Sequence, residues 1–201
     1  MSSGKLNEQA KGVYIIAATP FTDEGAVDLP SVDSLTDFYL GCGVHGFTLL
    51  GMMGEAHKLT ADESLSVVNR VIGRAQGRQV IVGVSHAGLE NVRRLSHEAM
   101  MAGAAGVMVA PPPGLKGDEG LYNYYAQVFQ ALGPQIPVVY QDYPQTTGVY
   151  LPVNVFERLV DDFPQLVMLK HEDAPGLAKL TKVREGEKKP HSPNDDQSPG
   201  S

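Results

Sequence analysis

Cysteine is almost absent from this 201-residue chain, which has only Cys42. One thiol excludes an internal disulfide framework, and no cysteine–histidine cluster offers a zinc site, so neither a metal nor a cofactor is expected. Such cysteine usage fits a reducing cytosol. No apolar stretch approaches the roughly 20 residues of a membrane span. The polar start Met1-Ser2-Ser3-Gly4-Lys5 has no signal-peptide core. The expectation is a cytoplasmic protein without membrane contact. Basic charge is scarce too: 16 Lys and Arg stand against 23 Asp and Glu, for a net charge of −7 with no dense basic patch. This argues against a nucleic-acid partner. The last stretch, 184–201, lacks any apolar residue to bury and is rich in proline, so it is expected to be disordered.

The rest of the chain is regular. Its hydrophobic content of 42% is enough for a sizeable core, and its length suggests one domain, placed at 12–183. Apolar runs rich in β-branched residues lie at Val13 to Ala18, Gly46 to Leu50, Gln79 to Val84, Gly106 to Ala110, Pro137 to Tyr140 and Leu166 to Leu169. Helical periodicity fills the gaps at Leu29 to Leu40, Ala61 to Gln76, Leu89 to Gly103, Glu119 to Leu132 and Pro152 to Phe163. Strands that are continuously apolar are buried on both faces, which indicates a parallel sheet covered by helices.

Local signals set the helix ends. Thr60-Ala61-Asp62-Glu63 reads as a capping box. Gly41 and Gly43, Gly77, and Gly103 and Gly106 follow successive helices, where a left-handed residue ends the element. Leu65, Val68, Ile72 and Ala75 form one stripe, expected to face the sheet, and Met100 and Met101 read as core filler.

Lys170 is the residue that calls for a chemical reason. It closes the apolar run Leu166-Val167-Met168-Leu169. Burial disfavours the ammonium form, and a neutral amine can attack a carbonyl to form a Schiff base. The competing reading is a strand-end lysine that snorkels to water. An open dinucleotide-binding sheet would show Gly-x-Gly-x-x-Gly after its first strand; here Thr19-Pro20-Phe21-Thr22 follows instead. A closed barrel is favoured.

Several motifs carry a more specific likeness: Ala18-Thr19-Pro20-Phe21, Gly51-Met52-Met53-Gly54-Glu55-Ala56, Ala110-Pro111-Pro112-Pro113 before Glu119-Gly120-Leu121, Tyr143-Pro144-Gln145-Thr146-Thr147-Gly148, and Lys170. From about Gly12 to Leu180 the chain resembles the dihydrodipicolinate synthase and N-acetylneuraminate lyase family in motif order and spacing. The resemblance implies an α/β fold of the (β/α)8 TIM-barrel type. It also implies a lyase or aldolase that holds pyruvate or a related 2-oxo acid as a Schiff base on Lys170 and makes or breaks a carbon–carbon bond. Backbone amides of the loop Gly51, Met52, Met53 and Gly54 would receive the carboxylate. Full-length relatives commonly form tetramers, which admits a homo-oligomer.

The departures from the family pattern are equally specific. Met52 and Met53 stand where the synthases have a threonine pair. Pro113 takes the place of a relay aromatic, and Gln141 that of the catalytic tyrosine. Tyr143, in the loop, and Tyr140, one residue before Gln141 and so on the opposite face, are the candidates for a substitute proton shuttle. Thr146 replaces the arginine that grips the second substrate, and a neutral hydroxyl is no substitute for a bidentate guanidinium. Dihydrodipicolinate synthesis itself is therefore not expected. Methionines in the pocket loop suit a more apolar substrate. His171, Glu172 and Asp173 are titratable groups beside the lysine, or else the cap and first turn of the sixth helix. A complete barrel takes about 250 residues, so the fold is expected to be incomplete, with about six βα units. The alternative function is a catalytically inactive, truncated barrel that acts only through association with another chain, or is unstable.

Overall fold

The computed structural model describes residues 4–187. Six strands form one sheet: β1 (Tyr14–Ile16), β2 (Gly46–Leu49), β3 (Gln79–Gly83), β4 (Gly106–Val109), β5 (Val138–Asp142) and β6 (Leu166–His171). They lie in chain order, and every neighbouring pair is parallel. Helices α1 (Leu29–Gly41), α2 (Ala61–Arg74), α3 (Leu89–Ala102), α4 (Asp118–Leu132), α5 (Pro144–Thr147), α6 (Val153–Asp162) and α7 (Gly176–Glu187) complete the units. This is an incomplete (β/α)8 barrel: among the described residues, β1 and β6 each have one neighbour in the sheet. None of the described helices is long and apolar enough to cross a membrane.

Strand alternation divides the core into two layers. Phe47, Val80, Val82, Val107, Val109 and Tyr140 pack outward against helical residues such as Val68, Val92, Val128 and Leu159. On the inner face, Ile81, Met108 and Val139 join Leu6 and Ala105 in a second cluster. Leu6 is 2% exposed, and its amide donates to Ala105 O at 2.8 Å, so the segment before β1 plugs the amino-terminal end of the sheet. Leu6 thus covers part of the inner face at its amino-terminal end, beside the start of β4.

Two adjustments follow from packing. On α2, Ser64, Val67, Val68 and Val71 are the buried residues, so the helix is rotated from the stripe expected through Leu65 and Ile72. Ile72 instead packs towards Gly103, at the end of α3. Met101 is 80% exposed and fills no core, whereas Met100 packs against it. The capping box forms as read: Glu63 N donates to Thr60 Oγ1, and Thr60 N to Glu63 Oε2 at 2.9 Å. Gly103 ends α3 in the left-handed region, but Gly41 is the last residue of α1 and the left-handed position falls at Gly43. Helix α7 includes Arg184 to Glu187, the start of the stretch expected to be disordered. The rest of that stretch lies outside the described residues.

Candidate active site at the carboxyl ends of the strands

Lys170 and Gln141 are register partners on β6 and β5. A register shift between Val138 and Val139 precedes them, beyond which Met168 and Lys170 share the inner face with Val139 and Gln141. A cavity of about 360 Å³ lies on this face, bounded by Tyr14, Ile16, Thr48, Met108 and Met168, with Lys170 on its lining. Ala10 and Gly12, ahead of β1, line it as well, so it runs along the inner face up to Lys170 near the carboxyl ends, the end where barrel active sites gather.

The lysine is neither a lone cation nor a snorkelling one. Its side chain is 22% exposed, and Nζ forms an ion pair with Glu172 Oε1. Gln141 Nε2 donates to the same carboxylate oxygen at 2.9 Å. Lys170 and Glu172 meet because residues two apart on extended chain point the same way. The extended pairing runs past β6, since Glu172 N donates to Asp142 O at 2.8 Å. His171 therefore ends β6 and α7 begins at Gly176, so His171, Glu172 and Asp173 are not the first turn of a helix.

His171 points to the opposite face. Its Nδ1 lies 2.7 Å from Asp142 Oδ2, which also accepts from Lys179 Nζ at 3.0 Å; Lys179 pairs with Asp173 at 2.8 Å as well. The Asp142 side chain is fully buried. Although burial works against the charge on Lys179, hydrogen bonds to Asp173 and Asp142 hold its amine above the ordinary lysine value. The hydrogen bond from Lys179 holds the Asp173 carboxyl below its ordinary value. Helix α7 is thus tied to the tips of β5 and β6, directly behind Lys170.

The two tyrosines part company. Tyr140 lies in the helix–sheet layer, stacked on Tyr125 with centroids 4.3 Å apart and edge-on to Phe156 at 6.3 Å. Burial pushes its phenol far up. It faces away from Gln141 and Lys170, as strand alternation requires. Tyr143 is half-buried in the loop beyond β5, and its carbonyl accepts from the amides of Thr146 and Thr147, both at 3.2 Å. Thr146 is exposed on α5, a single turn too short for its periodicity to show in the sequence.

After β2 the chain turns sharply at Leu50, which has a positive φ of 54°. A side chain on Gly83 would collide with the Leu50 carbonyl, so glycine is required beside this turn. Gly51 is buried over Ile16 and Met108, its would-be Cβ 3.5 Å from each, which brings the loop to the cavity roof. Gly54 is buried too, and its carbonyl accepts from Thr19 Oγ1 at 2.7 Å. Met52 is half-buried, but Met53 is 62% exposed, so at most one methionine contributes apolar surface to the pocket. Glu55 pairs with Lys58 and anchors the loop.

For Glu172 the sequence leaves two readings open, a titratable group beside the lysine or the first turn of a helix, and the helix reading does not hold. The available signal is its two-residue spacing from Lys170, which brings the two side chains together once the chain is extended.

The dihydrodipicolinate synthetase family model matches residues 9–190. The 4-hydroxy-tetrahydrodipicolinate synthase of Sorangium cellulosum is 34% identical over 168 residues, 82% of this chain and 54% of that protein. An enzyme of the same name from Thermus thermophilus is 35% identical over 155 residues, 76% of this chain and 51% of its own. Among solved structures, dihydrodipicolinate synthase from Rhodopseudomonas palustris superposes with a TM-score of 0.89 at 49% identity, covering 92% of this chain and 62% of that one. YagE, a prophage protein of the dihydrodipicolinic acid synthase family from E. coli K12 solved in complex with pyruvate, gives a TM-score of 0.80 at 26% identity, covering 87% and 58%. The chain spans about half the length of the curated relatives it matches. By its motifs, its sheet and these matches, the chain belongs to the dihydrodipicolinate synthetase family.

Proposed function

We propose that this chain is a lyase or aldolase that condenses Lys170 with the keto group of pyruvate or a related 2-oxo acid. The observation that carries the reading is the position of Lys170: near the carboxyl end of β6, on its inner face, lining a cavity of about 360 Å³ that runs along the inside of the sheet. The amine attacks the keto carbon, water leaves, and the resulting iminium draws electrons from the adjacent carbon. Loss of a proton there gives an enamine that can add to an aldehyde; the reverse sequence cleaves the bond. The amides of Gly51 to Gly54, beside Ile16 and Met108, would receive the substrate carboxylate. Tyr143, in the loop beyond β5, remains the candidate phenol for proton transfer at the second substrate.

The reading departs from the named activity of the curated relatives. Gln141 stands at the tyrosine position and Thr146 at the arginine position, so those two positions carry neither a phenol nor a guanidinium. A different acceptor, without the carboxylate gripped by that arginine, follows. A second reading is a chain that acts only through association, for which β1 and β6, each with one neighbour among the described residues, would supply the pairing edges. Reduction with borohydride in the presence of pyruvate separates the two. The enzyme gives a stable covalent adduct that is lost in Lys170→Ala. A chain that binds only through its edges gives none.

A further inference from the structure

Given the Schiff-base role of Lys170 just proposed, we infer that Glu172 is the acid–base catalyst of this site, doing with a carboxylate what the missing phenol at position 141 cannot. Nζ of Lys170, the reacting atom, is in direct contact with Glu172 Oε1. Gln141, the residue at the tyrosine position, does not face the amine with a titratable group. It spends its amide on orienting the carboxylate, with Nε2 donating to Glu172 Oε1 at 2.9 Å.

Glu172 is also held in place from both sides. Its own amide donates to Asp142 O at 2.8 Å, His171 before it is fixed to Asp142 Oδ2 at 2.7 Å, and Asp173 after it pairs with Lys179 at 2.8 Å. A carboxylate on so constrained a backbone is preorganised rather than a chance surface partner. The other titratable groups nearby are directed elsewhere. Asp142, His171 and Lys179 form their own network on the far face, and Tyr140 is stacked among Tyr125 and Phe156. Its side chain is 31% exposed, so Glu172 is reachable from solvent while in contact with Lys170 Nζ.

The proton count closes on this one group. Glu172 takes a proton from the Lys170 ammonium, and the freed amine forms the carbon–nitrogen bond as the keto π pair moves to oxygen. Protonated Glu172 neutralises that alkoxide. The carboxylate then removes one proton from the new nitrogen cation, leaving a carbinolamine, and delivers it to the hydroxyl. The carbon–oxygen bond breaks, water departs with both protons, and the nitrogen lone pair forms the iminium, which keeps one hydrogen. Lysine ammonium plus ketone has become iminium plus water, with no other reactant.

Rates of borohydride-trapped adduct formation with pyruvate test this on the full chain. Glu172→Gln keeps the hydrogen-bonding shape but cannot carry a proton, and is expected to slow trapping by about 100-fold or more. Glu172→Asp, which retains a carboxylate, is expected to fall between the two. In Glu172→Ala, added acetate is expected to restore the rate in proportion to its concentration, where chloride at equal ionic strength does not; a purely structural role would show no such rescue. Wild-type rates in Glu172→Gln, or a slow Glu172→Ala that acetate leaves unchanged, would overturn the assignment of Glu172 alone. A wild-type chain that gives no adduct overturns the Schiff-base reading and this inference with it.

Discussion

His171 Nδ1 lies 2.7 Å from Asp142 Oδ2, on the face of β6 opposite the Lys170 amine. Adjacent residues of one strand therefore serve two ends: Lys170 faces the cavity, and His171 fastens the strand tip to β5 and, through Asp142 and Lys179, to α7.

That fastening predicts a large stability cost for Asp142→Ala. The side chain is fully buried and holds both His171 and Lys179, so its removal leaves two cations or donors without their shared acceptor. Breaking a buried charge pair costs about 3–5 kcal/mol, and a loss near the lower figure is expected in urea unfolding.

The same cluster predicts how the docking of α7 depends on pH. Asp173 titrates below its ordinary value of 3.8, so its contribution is complete above that pH and is lost as acid takes the solution through the lowered value. Lys179 titrates above its ordinary 10.5, so its contribution is complete below that pH and is lost as alkali passes the raised value. Amide exchange in α7 should accelerate at both extremes. Lys179→Met should flatten the alkaline limb.

Tyr140 should behave as a packing residue. Tyr140→Ala removes a stack on Tyr125 and an edge contact to Phe156, and such losses cost about 3–5 kcal/mol. Tyr140→Phe keeps both rings together and is expected to unfold close to wild type, as thermal denaturation would show.

Gly83→Ala should disturb the loop that roofs the cavity. The added methyl meets the Leu50 carbonyl, and Leu50 already sits at a φ of 54°. Overpacking of this kind costs about 1–3 kcal/mol. Pyruvate-dependent thermal stabilisation should weaken along with the fold, because Gly51 is displaced with Leu50.

The apolar pattern made much of this architecture legible. Buried strands at Phe47, Val80 to Val82 and Val107 to Val109, separated by helices with capping signals such as Thr60 and Glu63, left little choice but a parallel sheet in chain order. Lys170, the residue proposed to form the Schiff base, was conspicuous in the sequence because an amine closing an apolar strand stands out. Glu172 was harder to read. Acidic residues after a strand usually begin a helix, and the extension of pairing to Asp142 and Glu172 depends on tertiary contacts from Lys179 that composition does not announce. The rotation of α2 and the exposure of Met101 were hidden for a similar reason: hydrophobic spacing allows several faces, and the neighbouring helices select one.

The most direct test of the central claim is peptide mapping after borohydride reduction of the full chain with pyruvate. The account predicts a reduced pyruvyl adduct on the peptide carrying Lys170, absent from Lys170→Ala. An unmodified Lys170 at saturating pyruvate, or an adduct on another lysine that persists in Lys170→Ala, would contradict it.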